Sequence, residues 1–404
     1  MNLVSMPAKE LKAALSLALV FFFRMLPLFM VLPVLSLSED SYMHATPQLL
    51  GLALGIYGLT QACFQIPLGA LSDRWGRKPI IVLGLVIFGL GSLIAATADS
   101  VYGLIIGRSL QGAGAVAAAI MALAADLTSE KSRTKAMACI GISIGAAFST
   151  AFIFGPILYT YIGIKGLFFL SACFSILAIM MLLIIVPNPE EKSQNTNPSN
   201  LEEVKSVFVN PSLIKLDISI FTSHLILMAN FVVIPITLRD SMQLAPIAHW
   251  QVYLSSIFLS LFIMVPLIIL GERLKKEKLF LILSILLIML SQIGLALFGI
   301  NINFTVIFLV LFFGAFNYLE VLLPSEVSKT TPGNTKGTAL GVYSTSQFIG
   351  IFVGGLAGGF FYQQFGLISV HLFCLFLAIL WLLLILFLSK SVSLSKNKLE
   401  EEVV

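Results

Sequence analysis

The chain has 404 residues, of which 58% are hydrophobic and only 11% charged, against about 25% charged in soluble domains. That balance excludes a sizeable soluble domain and places the chain in a bilayer, where roughly 20 apolar residues cross about 30 Å of hydrocarbon. The formal net charge of +4 carries no argument for nucleic acid; its meaning is topological.

Twelve long apolar runs are bounded by Pro, Gly or charge, at 14–36, 47–70, 79–97, 101–124, 136–160, 165–186, 213–238, 248–271, 278–299, 303–323, 337–361 and 366–389. Backbone polar groups in lipid must be satisfied within a segment, so these runs are expected as helices; the short alternating segments of a β-barrel are absent. The first run is too long for a signal peptide, contains Arg24 and lacks a small-residue cleavage site. With the N-terminus inside, 20 of the 24 lysines and arginines fall on the inner side, Lys165 and Arg239 fall outside, and Arg24 and Arg108 lie within helices. This bias predicts cytoplasmic termini and an even number of spans.

The fold class expected is therefore an all-α integral membrane protein with twelve transmembrane helices. Residues 1–186 and 213–390 form two six-helix halves, 187–212 a cytoplasmic linker and 391–404 a cytoplasmic tail. The linker is rich in Pro, Asn and Glu, with a short interfacial helix expected from Leu201 to Val209. The halves show weak self-similarity at an offset of about 200: FMVLPV at 29–34 matches FVVIPI at 231–236, and Thr134-Lys135 matches Thr335-Lys336. Six-plus-six repeats of this kind enclose a central site. Cys63, Cys139, Cys173 and Cys374 form no CxxC or Cys/His cluster and are read as packing residues, so no metal site and no cofactor are expected.

The loop after the second span reads GALSDRWGRKPIIVL, from Gly69 to Leu83. Gly69 and Gly76 allow close helix approach and a tight turn, and Asp73, Arg74, Arg77 and Lys78 put four charges where two helix ends meet. A basic loop obeying the positive-inside bias accounts for the Arg and Lys but not for Asp73 or the glycines. The stretch matches the GxLxDRxGRK signature of the major facilitator superfamily, which the chain resembles along its length. That resemblance implies the family's fold of two pseudo-symmetric halves. It also implies a conformational latch made by Asp73, Arg77 and a partner acid, for which Asp126 is the nearest candidate. Asp73 could alternatively face the N-terminus of the eleventh helix near Lys336.

LIIGRSLQGAGA (104–115) resembles the family's RxxQGxGxA motif and puts Arg108 in the membrane. There it serves either proton relay and core organisation or a structural pairing with a backbone carbonyl. The GAGAVA within this stretch follows no strand and is read as helix packing, not a dinucleotide loop. Gly155-Pro156 in FGPILYTYIG resembles the exporters' GPxxGG motif and is expected to bend the fifth span, although Tyr159 and Thr160 stand where that motif has glycines.

FRMLPLFMVLPVL (23–35), AHWQVYL (248–254) and FNYLEVLLPSEVSK (316–329) resemble YajR-type transporters of the drug:H+ antiporter branch. That subgroup carries an additional soluble C-terminal domain, expected to be absent from a chain ending at Val404. Arg24, Arg108, His224 and Glu320 are the proton-coupling candidates, since a buried carboxylate and a histidine can both titrate near neutral pH. His224 and Glu320 could instead serve only as hydrogen-bond partners of neighbouring helices. Tyr57, Gln61, Gln65, Asn230, Asn317, Tyr318, Tyr343 and Gln347 are substrate-cavity candidates that could equally be interhelical contacts.

The function expected is a monomeric, proton-coupled, alternating-access exporter of small hydrophobic or amphipathic compounds in the bacterial inner membrane. Its partners are lipid, protons and a small-molecule substrate. The alternative is an exporter or importer of a specific metabolite or siderophore. HExxH and paired membrane aspartates are absent, which argues against a membrane enzyme, and no Walker sequence offers ATP as the direct energy source.

Overall fold

In a computed structural model that describes residues 6–188, 201–331 and 335–401, the chain is helical almost throughout. Residues 189–200 of the expected linker and 402–404 of the expected tail lie outside the described residues. The helices are α1 Ala8–Val31, α2 Pro47–Trp75, α3 Arg77–Thr97, α4 Val101–Ala113, α5 Ala117–Asp126, α6 Glu130–Ile184, α7 Leu201–Val209, α8 Pro211–Ile236, α9 His249–Leu274, α10 Glu277–Phe298, α11 Ile302–Thr330, α12 Lys336–Phe365 and α13 Leu367–Glu401.

Eleven helical stretches among the described residues are long and apolar enough to cross a membrane. The longest, α6, has 55 residues, about 80 Å at 1.5 Å per residue and more than twice the hydrocarbon thickness. Gly163, at φ 66° and ψ −179°, divides it into two spans, which brings the crossings to twelve. The fourth span is interrupted, α4 ending at Ala113 and α5 starting at Ala117. Here the backbone lies against its neighbours, since a Cβ on Gly112 would run into the Tyr57 carbonyl and one on Gly114 into the Gly84 carbonyl.

Side-chain caps fix several helix starts. Thr46 accepts from the Leu49 amide ahead of Pro47, Ser100 from Gly103, and Asn301 from Asn303. Helices run past several of the predicted limits. The second span continues through Asp73 and Arg74 to Trp75, because hydrated charges at a membrane surface do not end a helix; the positive φ of 92° at Gly76 does. The first begins earlier, at Ala8, and after Val31 the chain passes into a 3-10 turn at Leu35–Leu37. α13 carries on through the expected tail to Glu401.

α1 to α6 pack together, chiefly α1 on α6 and α3 on α4 and α6, and α8 to α13 form the second bundle. The two repeat each other in detail. All eight buried positions of α3, from Ile80 through Phe88 to Ser92 and Ala95, have buried counterparts 200 residues later in α10, from Phe280 through Ile288 to Gln292 and Leu295. Most Lys and Arg lie at one end of the bundle, called the basic face below. It holds the α2–α3 and α9–α10 turns and the N-termini of α6, α8 and α12.

Contacts between the halves concentrate away from that face. α2 crosses α12 so closely that a Cβ on Gly51 or Gly355 would strike the other helix's backbone. Phe152 of α6 packs 5.2 Å from both Phe231 and Tyr253. Ser36 donates to the Phe231 carbonyl at 3.4 Å, Arg239 to the Leu37 carbonyl at 3.4 Å, and the Gln48 amide to Gln363 at 3.1 Å. On the basic half, by contrast, a Cβ on Gly141 or Gly145 of α6, or on Gly337 or Gly341 of α12, would meet nothing within 4 Å.

Candidate functional site

Three clusters gather most of the residues singled out from the sequence. The first lies at the basic-face end of α2. Arg77 pairs with Asp73 one turn before it, donates through Nε to Asp126 Oδ2 at 3.0 Å and through a terminal nitrogen to the Ser72 hydroxyl at 2.7 Å. Lys78 donates to the Val186 carbonyl at 2.6 Å and so holds the end of α6. Asp73 is half-exposed and its described partner is Arg77 of its own half, not the start of α12. Gly69 sits near Ala118, where a Cβ would make an ordinary 3.5 Å contact, while Gly76 is required by its φ. Arg74 is exposed. Ser72 escaped notice because a serine between a glycine and an aspartate carries no pattern of its own.

The second cluster is a polar layer inside the first half. Arg24 donates to Tyr57 Oη at 2.9 Å and lies 4.7 Å from the centre of the Phe88 ring. Tyr57 and Arg24 both donate to Gln61 Oε1, at 3.0 and 3.4 Å. On the other side Arg108, fully buried, stands 5.2 Å from the Tyr57 ring centre, donates to the Ala53 and Leu54 carbonyls at 3.1 and 3.4 Å, and donates to Gln111 at 2.7 Å. Gln111 passes on a 2.7 Å bond to Ser92. Two guanidinium groups thus flank one tyrosine ring and are satisfied by carbonyl oxygens, amide oxygens and π-faces. Gln111 was legible in principle, being three residues after Arg108 and so on its face of the helix.

The third cluster lies in the second half, where α8, α11 and α12 meet. His224 Nδ1 is 3.2 Å from the Ile220 carbonyl, which can only accept, so Nδ1 carries the hydrogen. Nε2 is then the acceptor, and the Gln347 amide donates to it at 2.8 Å. Glu320 Oε1 waits 3.7 Å from the same Nε2 with no hydrogen bond of its own. Phe316, its ring centre 5.1 Å from that of His224, covers the imidazole edge-on. Tyr343 is buried and lies within electrostatic reach of Glu320.

The remaining cavity candidates are dispersed as contacts between helices. Gln65 donates to Thr345 of α12 at 3.0 Å, a bond between halves, and Asn317 donates to Ser260 of α9 at 3.4 Å. Tyr318 packs against Phe280, away from the other half, and Asn230 is buried with neither side-chain polar atom hydrogen-bonded. At the expected bend, Gly155 serves close approach instead: its Cβ would fall 2.7 Å from the Met30 carbonyl oxygen. The departure from helical geometry in α6 falls at Gly163, beyond Pro156.

The sequence profile of the Major Facilitator Superfamily matches residues 17–319 and 216–403. The "Inner membrane transport protein YajR" of Escherichia coli (strain K12) is 44% identical over 385 residues, which is 95% of this chain and 84% of that protein. "Multidrug resistance protein 2" of Bacillus subtilis (strain 168) is 27% identical, over 83% of this chain and 84% of its own. The crystal structure of the nucleoside transporter NupG superposes with a TM-score of 0.76 at 14% identity, covering 93% of this chain and 99% of that one.

Proposed function

Because the chain belongs to the major facilitator superfamily, whose members are membrane transporters and not enzymes, we propose that it is a proton-coupled secondary transporter. It exports small hydrophobic or amphipathic compounds in exchange for H+, with its basic face towards the cytoplasm of a bacterial inner membrane. The observation that carries the coupling is the junction of His224, Gln347 and Glu320. Similarity to a protein named for multidrug resistance supports efflux, and the placement of lysine and arginine supports the orientation.

The geometry suggests how a proton moves the halves. With Nδ1–H held by Ile220, His224 Nε2 accepts from Gln347. A proton arriving on Nε2 turns that acceptor into a donor, so the Gln347 N–H is expelled and the idle Glu320 Oε1 becomes the new partner. Gln347 is carried by α12, the same helix whose Thr345 holds Gln65 of the other half. The protonation change at His224 and Glu320 therefore bears on a helix that forms the joint between halves. Closure at the basic face would bring the open glycines of α6 and α12 against their neighbours, with the Asp73–Arg77–Asp126 cluster as the latch.

The test is flux in proteoliposomes with an imposed pH gradient and a panel of fluorescent cationic dyes, drugs and metabolites. Wild type is expected to drive at least one dye against its gradient, while Glu320→Gln retains dye-for-dye exchange and loses the gradient-driven component. Full gradient-driven antiport by Glu320→Gln would reject the assignment.

A further inference from the structure

Between α8 and α12, on the basic-face side of the His224 junction, lies an open pocket of about 200 Å³ lined by Ile214, Asp217, Ile218, Phe221, Ser346 and Ile349. Five of these could be lining by default in a membrane protein; a carboxylate could not. Asp217 is half-buried, and no lysine or arginine among the described residues forms an ion pair with it. It precedes His224 by two helical turns, which puts both on one face of α8 about 10 Å apart. Tyr343, one turn before Gln347 on α12, lies within electrostatic reach of both Asp217 and Glu320. Counted from the basic-face ends of their helices, Asp217, Tyr343, Glu320 and His224 stand at depths of roughly 9, 10, 15 and 20 Å. A carboxylate, a phenol, a second carboxylate and an imidazole thus follow one another inward from a pocket.

We propose that Asp217 is the outer carboxylate of the proton path connecting Glu320 and His224 with the basic face. The inference rests on the proton-coupled reading above and adds to it the route. With the opposite face closed by the α2–α12 crossing and the Phe152 contacts, the α8–α12 pocket is where water reaches this ladder. On release, the carboxylic proton of Glu320 passes through the Tyr343 hydroxyl, or a water hydrogen-bonded to it, to the Asp217 carboxylate. Glu320 is left as the anion, Asp217 as the neutral acid, and Asp217 then gives the proton to water of the pocket. Uptake is the reverse, so one proton and no other atom changes place. The titratable groups facing Asp217 from the elements packed on it are Tyr343 of α12 and, beyond it, Glu320 of α11; on its own helix Lys215 lies two residues away, itself within reach of Lys278 of α10. Asp217 is a relay residue, not part of the His224–Gln347–Glu320 exchange.

The experiment uses the full chain in lipid nanodiscs and time-resolved infrared spectroscopy of the carboxylic C=O stretch after a pH jump. The Glu320 band is assigned as the one lost in Glu320→Gln. In Asp217→Asn the equilibrium titration of that band is expected to persist while its rate of appearance falls about tenfold or more, and Asp217→Glu is expected to restore the rate. An unchanged rate in Asp217→Asn overturns the route and leaves the coupling intact. A wild-type spectrum with no titrating band that Glu320→Gln removes overturns the coupling and the route with it. Melting curves of Asp217→Asn and Asp217→Glu check that both are folded; a slow rate that the glutamate does not restore also counts against the relay.

Discussion

Two arginines inside a membrane protein demand an account of what replaces water around them. For Arg108 the replacements are the Ala53 and Leu54 carbonyls, Gln111 and the Tyr57 ring. Arg108→Met keeps the length but strands those acceptors, so it should lower stability by about 1–3 kcal/mol, read as a fall in melting temperature in detergent. Substituting Gln111 as well should add less than its own single effect, because the two share one network. The sequence made Arg108 visible as a membrane cation but left its role open between relay and structural partner. What decides its surroundings is a carbonyl 55 residues earlier, which no spacing on one helix reveals. Nearer the surface, the Lys165 ammonium, 2.8 Å from Asp99, holds that exposed carboxyl below its ordinary value by hydrogen bond and charge. A depressed folded-state value stabilises above the unfolded one and is lost as pH falls through the folded one. NMR titration should therefore show Asp99 protonating at lower pH than a free aspartate, and returning towards about 3.9 in Lys165→Ala.

Helix crossings show which glycines are indispensable. A Cβ on Gly355 would fall 2.5 Å from the Gly51 carbonyl oxygen, a backbone atom that cannot rotate aside. Gly355→Ala should thus force α2 and α12 apart and cost about 1–3 kcal/mol. Gly341, on the same helix with nothing within 4 Å, should accept alanine and gain about 0.5–1 kcal/mol from helix propensity. Opposite signs in thermal melts on one helix would establish the crossing, and equal effects would refute it. Number and approximate position of the helices were legible because apolar runs of spanning length have few alternatives in lipid. The interruption at Gly114–Val116 was not, since it depends on backbones of α2 and α3 pressing on that span. Nor was the junction inside Glu130–Ile184, where a single glycine, Gly163 at φ 66° and ψ −179°, separates two spans and does the work expected of a loop. In the Gly69 to Leu83 stretch, helical on both sides of Gly76, Arg77 meets Asp73, Asp126 and Ser72. The sequence offered the two acids as candidates, because a charged motif at a helix end has few neighbours to choose from, and not the serine.

At the scale of the whole molecule, the halves touch through glycine crossings, aromatic packing and a few hydrogen bonds, neutral except for the one from Arg239 to the Leu37 carbonyl, on the side away from the basic face. Such a joint is tight but carries little directional energy, since each neutral bond nets only about 1 kcal/mol. Opening it and closing the basic side is therefore feasible if the glycines of α6 and α12 find new partners there. This alternation makes a paired prediction. In a background with all four native cysteines replaced, Gly141→Cys and Gly341→Cys should react quickly with a charged, membrane-impermeant thiol reagent. The reagent must be applied from the basic face, which inside-out vesicles expose if that face is cytoplasmic. Gln48→Cys and Gln363→Cys, whose parent residues are joined by a 3.1 Å bond, should crosslink on the opposite face. Crosslinking should abolish flux while leaving labelling at position 341 at its maximum, because it traps the arrangement described here. If labelling instead falls on crosslinking, or if flux survives it, the opposite face does not need to part during transport. The alternating rearrangement would then have to be sought elsewhere than at the α2–α12 crossing.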